Sequence, residues 1–301
     1  MTTSRRALSG AAFATLLLIA LMMGANHVAA RFAFGHGVDV ATAVTFRSFV
    51  TALVVGLIVW LQGARPQLTA RHRWALPLIG LLIGVQSLCL YSSVARLPVA
   101  LALLAFNTYP ITGAIWAWVF YRQRPERAMV LAMPVILIGL ALALDVMGAA
   151  SGLGASAQWD RIGVGLGFGL AAAAVFGLAL VITQHEAATI DGRVRTASTM
   201  AIAGVVALGM VASSGGFHLP QDPLGWIGLG GLTFLYGTAF TIMFIVLPRL
   251  GVVGNSPIMN VEPVFAMALA WLVLGQAVAP MQVLGALIVV GAVMALGMRK
   301  R

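Results

Sequence analysis

Glu262 is the carboxylate that falls near the centre of an apolar stretch of this chain. A charge at that depth costs about 2.5–3.5 kcal/mol on membrane-insertion scales, so its side chain must face protein or water rather than lipid. A carboxylate so placed contacts a cationic group of a ligand, carries a proton, or pairs structurally with Arg47 or with polar groups on neighbouring helices. Arg47 sits about two turns into another apolar stretch and has three uses of its own. It pairs with Glu262, holds a ligand carboxylate, or extends its aliphatic stem so that the guanidinium reaches the interface. Asn26, His27, Gln86, Tyr91, Tyr109, Tyr236, Thr241 and Asn255 are further polar side chains within apolar stretches and are candidates to line an aqueous, substrate-binding cavity. Asn255 and Glu262 are seven residues apart and so share a helix face. His27 has no second histidine or carboxylate at ligand spacing, so no metal and no cofactor are expected.

Asn107 and Asn260 each stand three residues before a proline, Pro110 and Pro263. Proline removes a helical hydrogen bond, and an asparagine amide can take up the freed backbone group or bridge two helices, so these four residues are read as structural. The glycine-dense runs Gly163 to Gly169 and Gly228 to Gly231 fit close helix packing. The first is no phosphate-binding fingerprint, because no soluble strand precedes it.

Positioning these groups requires membrane-spanning helices. The chain has 301 residues, 61% of them hydrophobic and 9% charged, with a mean hydropathy of +1.00. Such a composition cannot cover a water-exposed surface. The net charge of +10 lies in short gaps between apolar stretches with no interleaved aromatic residues, which points to lipid headgroups and not to nucleic acid. A lone cysteine, Cys89, forms no intrachain disulfide. Arg5 and Arg6, the apolar run to Met23 and Val28-Ala29-Ala30 mimic a secretory leader, but removing them would delete the first of a symmetric set of spans, so an uncleaved span is expected.

A hydrocarbon core about 30 Å thick needs roughly 20 apolar residues per helix. Ten stretches qualify: 10–30, 41–62, 73–94, 98–121, 128–148, 162–183, 196–214, 224–247, 252–274 and 279–298. With ten spans, one side holds fourteen of the eighteen basic residues, and the other holds Arg31, Arg96 and Arg161, with Arg47 inside a span. Both termini are therefore expected on the cytoplasmic side. Trp60, Trp74, Trp159 and Trp226 fall near predicted span ends, as interfacial anchors.

A shift of 153 residues aligns Arg96-Leu97 with Arg249-Leu250, Val99 with Val252, Asn107 with Asn260, Pro110 with Pro263, Ala117-Trp118 with Ala270-Trp271 and Gln123 with Gln276. That is eight identities in 28 ungapped positions, where random pairing gives about three. The shift also carries Gly24 onto Gly177, and Tyr109 onto Glu262. The chain thus divides into repeats over 1–150 and 160–301, joined by the Ser/Gly-rich stretch from Ser151 to Asp160. Five spans per copy force the copies to cross the membrane in opposite directions. The expected fold is an all-α integral membrane protein with ten transmembrane helices arranged as two inverted five-helix repeats.

Leu90-Tyr91-Ser92-Ser93-Val94-Ala95, the continuation to Asn107-Thr108-Tyr109-Pro110, and the counterpart from Asn260-Val261-Glu262-Pro263-Val264-Phe265-Ala266 through Leu274-Gly275-Gln276 resemble the signature spans of EamA-type carriers of the drug/metabolite transporter superfamily. The resemblance implies export of small metabolites, amino acids or drugs across a bacterial cytoplasmic membrane through a central cavity between the halves. This sequence departs from the pattern at Gln123 and Gln276, where such carriers often have glutamate. Expected partners are a small-molecule substrate and the lipid bilayer, with no nucleic acid and no ATPase subunit, in a monomer or weak homodimer. The competing readings are a drug or lipid-precursor carrier, and a membrane enzyme or scaffold. An enzyme would show paired carboxylates or a Ser/His/Asp set near one interface, which this sequence lacks. Single cysteines substituted at Arg65 and Asp222 are expected to react with an impermeant thiol reagent from opposite sides of the membrane. Reaction of both from one side excludes the ten-span arrangement.

Overall fold

The computed structural model describes residues 10–63, 68–125, 127–243, 261–276 and 279–298. Among the described residues the chain is helical and without strands, in the order α1 (Gly10–Gly35), α2 (Val40–Leu61), α3 (Ala70–Arg96), α4 (Val99–Phe106), α5 (Tyr109–Tyr121), α6 (Arg127–Ala143), α7 (Ala155–Glu186), α8 (Gly192–Ser213), α9 (Pro223–Thr241), α10 (Glu262–Leu274) and α11 (Pro280–Met298). Six stretches are long and apolar enough to cross a membrane, namely α1, α2, α3, the joined segment Val99–Tyr121, α7 and α8. Large apolar side chains such as Leu53, Trp60, Leu131, Ile227 and Leu272 point outward, while Asn26, Arg47, Gln86 and Asn107 are buried. This is the reverse of a soluble protein and the distribution that hydrocarbon surroundings impose. Trp60, Trp74, Trp159 and Trp226 are all exposed and lie within the first or last five residues of their helices.

The 153-residue interval of the sequence recurs in the backbone. Helices α5 and α10 begin at 109 and 262 and end at 121 and 274. Their C-terminal caps, Arg122 and Gly275, both adopt the left-handed conformation, with φ of 54° and 64°. Helices α3 and α9 open behind the side-chain caps Thr69 and Asp222, again 153 apart. Close packing repeats as well. A Cβ on Gly24 would come within 3.0 Å of the Ala266 nitrogen, and one on Gly177 within 2.7 Å of the Gly113 nitrogen, two contacts related by the same shift. Glycine is needed at both places because the backbones nearly touch.

Helices at equivalent places in the two repeats pack against each other in opposite directions. Thr42 at the start of α2 accepts from the His218 backbone beyond the end of α8, and Gln62 just past the end of α2 accepts from Arg193 at the start of α8. Along α6 and α11, Gly139 meets Ile288 while Ala143 meets Gly285. The first residue of α4, Val99, donates its N–H to Gln276 just past the end of α10 at 3.1 Å. The remaining main contacts also form exchanged sets, α1 with α9 matching α7 with α3, and α1 with α10 matching α7 with α4 and α5.

Two local expectations change. The span expected over 98–121 is two helices, broken at Asn107 and Thr108. Pro110 has no N–H to offer the Phe106 carbonyl, so the ladder cannot run through. The hydroxyl of Thr108 caps the Ala105 carbonyl at 2.8 Å, whereas the buried Asn107 Nδ2 has no hydrogen-bond partner among the described residues. The expected linker from Ser151 to Asp160 is shorter, because α7 already begins at Ala155. Asp145 folds the preceding turn by accepting from the Ala150 and Ser151 N–H groups, and Gln158 on α7 donates to the Leu144 carbonyl at 3.0 Å. Asn255, Asn260 and Arg249 lie outside the described residues.

The Asp222 cap accepts from the Gly225 N–H and contacts His36 Nδ1, both at 2.7 Å. These bonds, the backbone one foremost, hold its pKa below the usual aspartate value of 3.8. A depressed carboxylate pKa contributes stability above the unfolded-state value and loses it as pH falls through the folded-state value. Asp222→Ala is therefore expected to unfold at a lower temperature than the native chain at neutral pH, with the difference closing only below pH 3.8. Thermal unfolding in detergent micelles over a pH series measures this, and a difference independent of pH would rule out the capping carboxylate as its source.

Candidate substrate site

Helices α3 and α9 converge on Arg47 of α2. α2 places its side chain inward at 2% exposure, so it neither extends to the interface nor meets a carboxylate among the described residues. Its Nη1 donates to the Tyr91 hydroxyl at 3.0 Å and its Nη2 to Ser87 Oγ at 2.7 Å, both from α3. The guanidinium lies 3.9 Å from the centre of the Tyr236 ring, from α9, and 4.6 Å from that of Tyr91. Two hydrogen bonds to a charged group, at about 1.5 kcal/mol each, match an insertion cost near 3 kcal/mol. The tyrosine faces add cation–π attraction that is strongest where water is excluded. Tyr91 in turn donates to Asn26 Oδ1 of α1 at 2.9 Å.

Glu262 is the first residue of α10, where the positive end of the helix dipole favours a carboxylate. Its Oε1 lies 3.3 Å from His27 Nε2, and its side chain is 25% exposed against 6% for His27. The His27 ring leans on Tyr91 at 5.5 Å between centroids. Tyr91 and His27 thereby join the cationic group to the acidic one. Tyr109, the first residue of α5, packs its ring against Phe106 and Phe176 at 5.6 and 5.2 Å, close enough to Glu262 for the two to interact electrostatically.

Of the residues singled out in the sequence, Asn26, Arg47, Tyr91 and Tyr236 form one connected cluster, with His27 and Glu262 beside it. Gln86 is buried next to Ser87, which contacts its Oε1 at 3.5 Å. Thr241 turns its hydroxyl to the Gly237 carbonyl of its own helix. Pro110 and Pro263 occupy the second position of α5 and α10. Ser87, Ser48 and Thr51 were not anticipated, although Ser87 is one turn before Tyr91 and Thr51 one turn beyond Arg47. Asn26 Nδ2, His27 Nδ1, Arg47 Nε, Ser48 Oγ and Thr51 Oγ1 are buried with no hydrogen-bond partner among the described residues. Among those residues no three His, Cys, Asp or Glu side chains gather as a metal site would require.

The sequence matches the EamA-like transporter family twice, over residues 9–144 and 163–298. The chain belongs to that family. The two matches span the two sets of helices related by the 153-residue shift, so the repeat seen in caps and contacts is the family's repeat. A crystal structure of a protein of 19% identity superposes with a TM-score of 0.62, covering 95% of this chain and 97% of its own. It shares the fold. No curated protein matches the sequence. EamA-like members are multi-pass membrane transporters, and the outward apolar faces and inward polar cluster of this chain accord with that.

Tyr91→Phe is expected to lower stability by about 1–3 kcal/mol, because Arg47 Nη1 and Asn26 Oδ1 both lose a buried partner. Thermal unfolding of the purified protein measures it. An unchanged midpoint would show that the Tyr91 hydroxyl does not hold the cluster.

Proposed function

We propose that this chain is a secondary transporter of the cytoplasmic membrane that exports a small amphipathic metabolite, such as an amino acid, by alternating access. One observation carries the reading. A buried guanidinium with no carboxylate partner among the described residues is linked through Tyr91 and then His27 to a partly open carboxylate. A zwitterion complements that pair, its carboxylate taken by Arg47 and its ammonium by Glu262. The unpartnered polar atoms on α1 and α2 offer the hydrogen bonds that would orient it.

The opposed packing of α2 with α8 and of α6 with α11 supports two inverted five-helix repeats, within ten spans, as the moving halves. Halves of like structure can exchange conformations, so that an inward-open state becomes an outward-open one at little cost. Both termini are then cytoplasmic, as the arginine distribution favours. No Walker-type motif occurs in the sequence, so transport proceeds without ATP hydrolysis by this chain. The aromatic group of Phe106, Tyr109 and Phe176 near Glu262 favours a second reading, a cationic aromatic drug as cargo.

Metabolite profiling of medium and cytosol, with and without expression, is expected to show an amino acid or related zwitterion enriched outside. Glu262→Gln is expected to abolish that enrichment while the protein still inserts into the membrane. Equal extracellular pools overturn the export reading, and native export by Glu262→Gln removes Glu262 from the site.

A further inference from the structure

A cavity lies away from the central cluster, where α1 ends, α3 passes into α4, and α7 begins. Its volume is about 250 Å³, which at roughly 30 Å³ per water is room for about eight waters. Arg31, Arg96 and Arg161 line it, together with Gln276 and an apolar floor that includes Leu97 and Ile162. No Asp or Glu lines it, and Asp160, next to Arg161 in sequence, is not among its lining residues.

The three guanidiniums are held in different ways. Arg31 donates Nη1 to the Val94 and Ala95 carbonyls at the end of α3, which anchors it and leaves its other donors without partners among the described residues. Arg96 donates Nη1 to the Ser92 carbonyl at 2.9 Å and lies over the Phe168 ring at 4.9 Å. Arg161 is exposed and makes no hydrogen bond or ion pair among the described residues. Three like charges around one small cavity repel one another, and an anion within it removes that repulsion while gaining charge-assisted hydrogen bonds. The sequence sharpens the point. In the ten-span arrangement the side depleted of basic residues holds three arginines, and these are the three that meet here. Cations that escape the usual topological bias and then converge have a use other than topology.

We propose that Arg31, Arg96 and Arg161 form a binding site for a phosphate or carboxylate group at the non-cytoplasmic end of the bundle, contributed by a phospholipid headgroup or by a soluble anion. The side of the membrane rests on the orientation proposed above. The binding does not, and it is measured without transport, so failure of either leaves the other standing.

The test uses the full-length protein in phosphatidylcholine nanodiscs, with the thermal unfolding midpoint as readout. In one arm phosphatidylglycerol replaces part of the phosphatidylcholine; in the other inorganic phosphate is titrated, with sodium chloride at equal ionic strength as reference. At least one anion is expected to raise the midpoint above the chloride reference. Arg161→Gln breaks no internal bond of the described residues and is expected to raise the anion concentration needed about tenfold, the loss of one charge-assisted hydrogen bond. Arg96→Gln is expected to act in the same direction. A response to phosphatidylglycerol identifies the headgroup as the source, and a response to phosphate identifies a soluble anion. The proposal is overturned if neither anion acts beyond chloride, or if both variants respond as the native chain does.

Discussion

Hydrocarbon offers no hydrogen bonds, so every polar group that this chain carries to membrane depth must find its partner inside the protein. That constraint accounts for the all-helical backbone among the described residues and for the outward display of leucine, isoleucine and tryptophan. It acts most severely on Arg47. The guanidinium is admitted because Tyr91, Ser87 and Tyr236 surround it, and those residues come from helices of both repeats. The central cluster is therefore a condition of folding as well as a candidate site, since the cation cannot be buried until α2, α3 and α9 have met.

The duplication is deep in the backbone and shallow in the chemistry. Helix starts, caps and glycine contacts recur at 153 residues, yet the side chains at corresponding places differ. Thr69 is matched by Asp222, Tyr109 by Glu262, and Arg47 by Met200, whose sulfur lies 3.8 Å from the Tyr236 hydroxyl. One repeat thus brings the cation and most of its partners, and the other brings the carboxylate and an aromatic face. Symmetry of the frame is what the proposed movement of the halves requires, and asymmetry of the lining is what the proposed zwitterion, with its two unlike ends, would need.

The break between α4 and α5 and the start of α10 belong to the same logic. Each proline stands at the second position of its helix, where its missing N–H costs no helical bond, and each of these helices presents its N-terminus there. At α10 that terminus carries Glu262, where the helix dipole offsets part of the cost of a half-buried carboxylate. At α5 it carries Tyr109 within an aromatic group, which needs no such compensation.

Hydropathy, the arginine distribution and the 153-residue self-similarity were enough to read the class of fold and its two repeats, because each depends on composition or on periodicity along the chain. The same signals marked Asn26, Arg47, Tyr91, Tyr236, His27 and Glu262 as polar groups turned from lipid. They did not say which met which. That Glu262 faces His27 and not Arg47, that Ser87 completes the arginine's bonds, and that Thr108 rather than Asn107 caps the break are outcomes of helix packing. Helical spacing assigns a side chain to a face; its partner depends on the register and direction of another helix far away in sequence. The three arginines drawn to one cavity illustrate the difference, for nothing local links residues 31, 96 and 161 until α1, α3 and α7 lie side by side.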